Sequence, residues 1–174
     1  MIQLLMVGGL KGDFRYLAPG IDEYLKRLSA YVAIAVQEVK DEPVTATVSP
    51  EMAMAKEAER LMPYFQKAAY TLVLSERGEK YDSPSFAKTW FERVPPHLLQ
   101  AGKIHSNGGS GAGVTQPMIV VIGGAWGLAP ALIDQADWCL SLSSMTMTHQ
   151  HVRLLFLEQL YRAYKIHRGE PYHK

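Results

Sequence analysis

The sequence predicts an α/β protein: a mostly parallel sheet of about five to six strands with helices on both faces. Two observations carry that expectation. Short apolar or β-branched runs alternate with stretches of helical spacing along the whole chain. Two of the helical stretches open on the same signature, a serine followed by proline, which caps a helix and sets its first residue.

The elements follow in order. Ile2 to Val7 is a buried-strand run closed by Gly8-Gly9. Leu17, Ile21, Tyr24, Leu25 and Leu28 share one face of a helix reaching Tyr31. Val32 to Val39 is β-branched and alternating, a second strand. Ser49-Pro50-Glu51 starts a helix to about Lys67, and Tyr70 to Leu74 is a third strand. Ser83-Pro84 starts a helix to about Arg93. Met118 to Ile122, the most apolar run, is a fourth strand, and Gly127 to Ala136 is a short helix. Trp138 to Leu142 is a fifth strand and Val152 to Ile166 the last helix. The fully apolar third to fifth strands predict the centre of the sheet. The last helix carries two apolar stripes, one through Val152, Leu155, Phe156, Leu160 and Tyr164, the other through Leu154, Leu157 and Tyr161. One stripe covers the sheet; the second is met either by a symmetric partner helix or by the chain's own core.

Length and composition bound the rest. With 174 residues, 48% hydrophobic and 20% charged, the expectation is one domain over residues 1–174 that folds without staples. The Pro95 to Pro117 stretch breaks the alternation. Its Ser106-Asn107-Gly108-Gly109-Ser110-Gly111 core has linker composition, so a flexible surface insertion is expected there. A single cysteine, Cys139, forms no internal disulfide and no Cys-rich zinc site, and it reads as strand packing. No apolar run approaches about 18 residues, so no membrane span is expected, and the N-terminus reads as a strand rather than a leader. The expected location is cytoplasmic.

The net charge is +1, which alone argues against a strongly electrostatic nucleic-acid binder. The average hides a gradient. Residues 1–148 hold 13 basic and 15 acidic residues, whereas residues 149–174 hold 5 and 2, with four of the six histidines. Any footprint for RNA is therefore local.

Candidate chemistry gathers where strands end. Gly108-Gly109-Ser110-Gly111 lacks the Lys-Ser/Thr of a phosphate-binding loop. Ile122-Gly123-Gly124-Ala125-Trp126-Gly127-Leu128 is better placed, since ligands of open α/β sheets bind beyond the carboxyl ends of strands. Leu142-Ser143-Ser144-Met145-Thr146-Met147 mixes apolar and hydroxyl groups, a wall suited to an adenine ring and a thioether. Leu74-Ser75-Glu76-Arg77-Gly78 follows the third strand in the same way. Plain turns and a helix-capping loop are the competing readings. His149 and His151 diverge on a helix and are not a zinc pair, so no metal is expected. Pro171-Tyr172-His173-Lys174 joins an aromatic to a titratable ring, suited to stacking on a base.

Several of these groups, in order and spacing, resemble the RlmH family of SPOUT-class methyltransferases of large-subunit ribosomal RNA. They are Glu23-Tyr24-Leu25-Lys26-Arg27, Leu72-Val73-Leu74, Ile122-Gly123-Gly124-x-x-Gly127-Leu128 and Trp138-x-Leu140-Ser141-Leu142-Ser143. Then come Thr146-x-x-His149, Val152-Arg153, Glu158-Gln159-Leu160-Tyr161-Arg162-Ala163 and Pro171-Tyr172-His173. The resemblance covers the chain outside the insertion. It implies a C-terminal trefoil knot, which pattern reading excludes by default. It further implies a homodimer and S-adenosylmethionine bound in a bent form against Leu74, Gly123, Leu142, Ser143, Ser144, Met145, Thr146 and Met147. The implied substrate is a pseudouridine of large-subunit rRNA in the assembled ribosome, methylated at nitrogen 3. Within that frame Arg153 is expected to orient RNA or base, His149 or His173 to handle the proton, and Tyr172 to stack. The family usually has Leu-Pro-His-Pro where this chain has Met147-Thr148-His149-Gln150. The competing classes are a non-enzymatic RNA- or ribosome-binding module on the same scaffold and a nucleotide-linked oxidoreductase. The missing dinucleotide fingerprint disfavours the second.

Overall fold

Five parallel strands lie in the order β2-β1-β4-β3-β5 in a computed structural model that describes residues 1–99 and 116–172. They are β1 (Ile2–Val7), β2 (Ile34–Val39), β3 (Tyr70–Lys80), β4 (Met118–Ile122) and β5 (Trp138–Ser141). The helices are α1 (Ala18–Leu28), α2 (Pro50–Phe65), α3 (Ser83–Arg93), α4 (Pro130–Asp134) and α5 (His149–His167).

Side-chain alternation along each strand divides the core in two. Ile2, Leu4, Met6, Leu72, Met118, Val120, Ile122, Trp138 and Leu140 point to the face covered by α1, α3 and α5. Leu5, Val7, Val73, Ile119 and Val121 point to the face covered by α2 and α4, through Leu61 and Leu132. β4 is central and buried along its whole length, as its composition predicts. The expectation for the fifth strand was wrong: β5 is an edge, and the inner place beside β4 belongs to β1. β5 is apolar because helices cover both its faces, not because strands flank it.

One of the two serine-proline signals acts as read. Ser49 accepts the backbone N–H of Met52 at the start of α2. At α3 the cap is Asp82, one residue earlier than expected, which accepts from Ser85. The two stripes of α5 are covered largely within the chain. Phe156, Leu157, Leu160, Ala163 and Tyr164 are buried, Leu154 and Tyr161 pack against the same core, and Leu155 stays exposed.

β3 runs past its expected end. Leu74 and Glu79 both pair with Leu140 of β5, so Ser75–Gly78 loops out between two stretches that grip one residue. A Cβ on Gly78 would lie 2.4 Å from the Leu140 carbonyl carbon, so only glycine fits there. The first part of the expected insertion is packed rather than loose. Leu98 is buried, and its carbonyl accepts from the Met1 ammonium at 2.8 Å. Residues 100–115, where the expected flexibility centres, lie outside the described residues. Among the described residues no helix is long and apolar enough to cross a membrane.

Candidate active site

The register levels three strand ends. Leu74 pairs with Ile122 of β4 on one side and with Leu140 of β5 on the other. The loops that follow, 75–78, 123–128 and 142–148, therefore rise from one rim, and a cleft of about 650 Å³ opens between them. That volume suits a small-molecule ligand. Leu74, Gly123, Leu142, Ser143, Met145, Thr146 and Met147 line it, with His149 at the start of α5. Ser144, expected among them, is exposed and outside the lining, because the turn at Ser143 points it to water.

Each loop is shaped by its own sequence. Ser141 Oγ donates to the Ser143 carbonyl at 2.9 Å, and Ser143 Oγ accepts from the Met145 N–H at 3.0 Å. These local hydroxyl bonds hold the loop. Thr148 caps α5, and its Oγ1 lies 2.7 Å from His151 Nδ1, while His151 Nε2 lies 2.7 Å from the Tyr16 hydroxyl. The cap of α5 is thereby tied to the 3₁₀ turn at Gly12–Leu17. In the β4 loop, Gly127 has φ 85° and donates its N–H to the Gly124 carbonyl at 3.1 Å. A Cβ on Gly123 would stand 2.6 Å from the Gly127 oxygen. Closure of the turn already demands glycine at Gly123, before any ligand approaches.

His149 lines the cleft and is half-buried. Burial lowers its pKa, the Arg153 charge lowers it further, and Asp41 opposes both. Lowering from 6.5 keeps the imidazole neutral near pH 7, able to accept a proton.

Arg153 stands one turn further along α5 and has no exposed surface. Its Nη2 donates to the Val7 and Gly8 carbonyls, both at 2.8 Å, which ties α5 to the end of β1. Its Nε and Nη1 have no hydrogen-bond partner among the described residues, and burial lowers its pKa against the pull of Glu38 and Asp41. Arg153 therefore lies beneath the cleft rather than in its lining, with one of its three guanidinium nitrogens committed to the end of β1.

Tyr172 is not at the cleft either. It packs edge-on against Tyr161 at 4.9 Å, its hydroxyl lies 3.1 Å from that of Tyr24, and Arg162 sits over its ring. Burial and the Tyr24 bond raise its pKa, so it stays a phenol. The 19 residues of α5, about 28 Å by helical rise, separate this tail from His149. His173 lies outside the described residues.

Two lining residues escaped the sequence reading: Phe14 and Met54 line the cleft from a turn and from α2, whereas Arg77 and Trp126 line it from the two loops already singled out. Beside Gly124 lies Glu57, a buried carboxyl that accepts the Glu42 N–H at 2.9 Å and whose pKa is raised, mainly by burial. The signal for Glu57 was present: Ala53, Glu57 and Leu61 share the buried face of α2. For Phe14 and Met54, nothing local distinguishes a lining residue from a surface one.

Known proteins give the same picture. The family model described as "Predicted SPOUT methyltransferase" matches residues 1–95 and 101–173. "Ribosomal RNA large subunit methyltransferase H" of Halothermothrix orenii is 40% identical, over 99% of this chain and 99% of its own length. The protein of the same name from Carboxydothermus hydrogenoformans is 38% identical with the same coverage, and that of Geotalea daltonii is 38% identical over 99% and 98%. A family match across nearly the whole chain, on a parallel sheet with a cleft at its carboxyl rim, has one reading: the chain belongs to the SPOUT methyltransferase family.

Proposed function

We propose that this chain transfers a methyl group from S-adenosylmethionine to nitrogen 3 of a pseudouridine in large-subunit rRNA of the assembled ribosome, acting as a cytoplasmic homodimer. The observation that carries the reading is the cleft itself. Seven of the eight expected cofactor positions line one cavity, in a chain similar along its length to large-subunit rRNA methyltransferases.

The lining fits the cofactor's chemistry. Leu74, Leu142, Met145 and Met147 offer apolar contact to a purine and a thioether, and Ser143 and Thr146 offer hydroxyls to polar edges. When bound, the cofactor supplies an electrophilic methyl on a positive sulfur. The protein's share is to hold the target nitrogen in line and to favour its deprotonated form. His149, kept neutral, accepts that proton. Arg153 is a positioning residue that fixes the first turn of α5, and with it His149, against the end of β1.

The dimer reading rests on distance. Tyr172 and the cleft lie at opposite ends of α5, so the tail serves chemistry only at a second copy's cleft. The same reading includes the trefoil knot, which the looped-out stretch of β3 and the close approach of Gly78 to the Leu140 backbone fit.

Calorimetry with S-adenosylmethionine, followed by transfer of labelled methyl to ribosomes and mapping of the product nucleoside, tests the proposal. The expected result is saturable cofactor binding and one N3-methylated pseudouridine per large subunit. Absence of cofactor binding sinks the enzyme reading in favour of the ribosome-binding module.

A further inference from the structure

The chain has three tryptophans. Trp90 and Trp138 are 0% and 1% exposed and form part of the core, whereas Trp126 is 56% exposed. It stands on the loop between β4 and α4, at the cleft. The bond from Gly127 to Gly124 and the positive φ at Gly127 fix the backbone that carries it. A large ring held in water at the mouth of a cavity keeps most of its apolar face free for a ligand.

A second aromatic group shares this rim. Phe14 lines the same cleft, and next to it Arg15 and Tyr16 are exposed. Tyr16 is held in place by its hydroxyl contact with His151. Arg77, also exposed, lines the cleft from the β3 loop. Aromatic rings interleaved with cations are how proteins take unpaired nucleic acid: bases stack on rings and phosphates meet the charges. Asp13 and Glu76 stand beside these cations, so the local charge is nearly balanced. Stacking must then supply most of the contact.

We propose that Trp126 is a stacking platform for an unpaired base of the RNA substrate, next to the nucleotide that enters the cleft. The proposal rests on the methyltransferase reading above and adds to it the element that grips the RNA. The turn makes Trp126 independent of the core, so its replacement leaves the fold intact.

Methyl transfer to unmodified ribosomes by intact wild-type, Trp126→Ala and Trp126→Phe proteins tests it, with KM for ribosomes and kcat separated. Calorimetry measures the cofactor affinity of each. For Trp126→Ala the expected KM rises about tenfold, the loss of one stacked base, while kcat and cofactor affinity hold. Trp126→Phe, which keeps a ring, recovers most of the loss. An unchanged KM in Trp126→Ala overturns the platform and leaves the enzyme reading standing. Weakened cofactor binding with unchanged KM also overturns it, since the ring would then cover the cofactor. So does a change of oligomeric state on sedimentation, which would place the ring between two protein copies. Wild-type protein that binds the cofactor but methylates no RNA overturns both readings.

Discussion

The two ends of α5 are built on opposite principles. At its start, polar groups are pulled inward. Arg153 is wholly buried on the Val7 and Gly8 carbonyls, and His149 is half-buried and held neutral. At its far end, charges pair with carboxylates and pack over rings. Arg27 lies over Tyr24 and Tyr161, Arg162 over Tyr172, and Arg168 over Tyr31. Glu170 joins Tyr31 and Lys165, and Phe91 stacks on His167 at 3.7 Å. One end gives a fixed geometry, which chemistry on a small ligand requires. The other gives an aromatic surface whose cations are paired with Glu23, Glu158 and Glu170, which suits contact with another molecule.

The largest break in this contrast is at Arg153. Arg153→Ala leaves two carbonyls without their charged donor and a cavity under the cleft. The expected loss is about 3 kcal/mol, a urea midpoint shift with unchanged slope. The same kind of change at the far end, Arg168→Ala, is expected to cost less than about 1 kcal/mol, because its guanidinium is half exposed. Equal losses at both ends would erase the distinction.

His149→Asn probes chemistry at the buried end. The expected effect is a fall in kcat of about a hundredfold with stability held. The sign of its pH dependence follows from the lowered pKa. The imidazole is neutral above that value, so wild-type activity is present at pH 7 and is lost only as pH falls through the lowered pKa, on the acid side of an ordinary imidazole. The asparagine variant lacks that acid limb. A profile with the same limb in both proteins would remove His149 from the proton's path.

Much of this contrast was legible in the sequence, and what was not has a physical reason. Strand and helix positions followed from apolar period and caps, since these are local properties. The cleft was legible because three strand ends carried loops of the right composition, and register makes strand ends converge. β5 as an edge was not legible, because helical cover and strand cover impose the same apolar composition. The burial of Arg153 was not legible for a related reason: an arginine is mostly exposed, and only the Val7 and Gly8 carbonyls at the end of β1 explain it. Gly78 was seen only as part of a turn, since the backbone it must admit, that of Leu140, is distant in sequence.

A mixing experiment sharpens the contrast across copies. If the aromatic end serves the partner's cleft, His149→Asn and Tyr172→Ala complement one another. Each is inactive alone, and an equal mixture that re-equilibrates regains about a quarter of wild-type activity, since half of the dimers carry one complete site of two. No recovery would mean that the tail and the cleft of one chain act together, against the separation α5 imposes.

The smallest expected effect is at the junction of the loop with α5. Thr148 caps the helix and also meets His151, which in turn meets Tyr16, so one hydroxyl serves both the helix and the rim. Thr148→Ala removes both contacts at an exposed site, with an expected cost of about 1 kcal/mol by urea unfolding. Thr148→Ser keeps the hydroxyl and is expected to be close to wild type. Because the loop ending at Thr148 lines the cleft, cofactor affinity is expected to weaken in parallel with stability for the alanine variant and to hold for the serine. Cofactor affinity unchanged in Thr148→Ala would show that the loop keeps its shape through Ser141 and Ser143 alone, and that the cap serves only the helix.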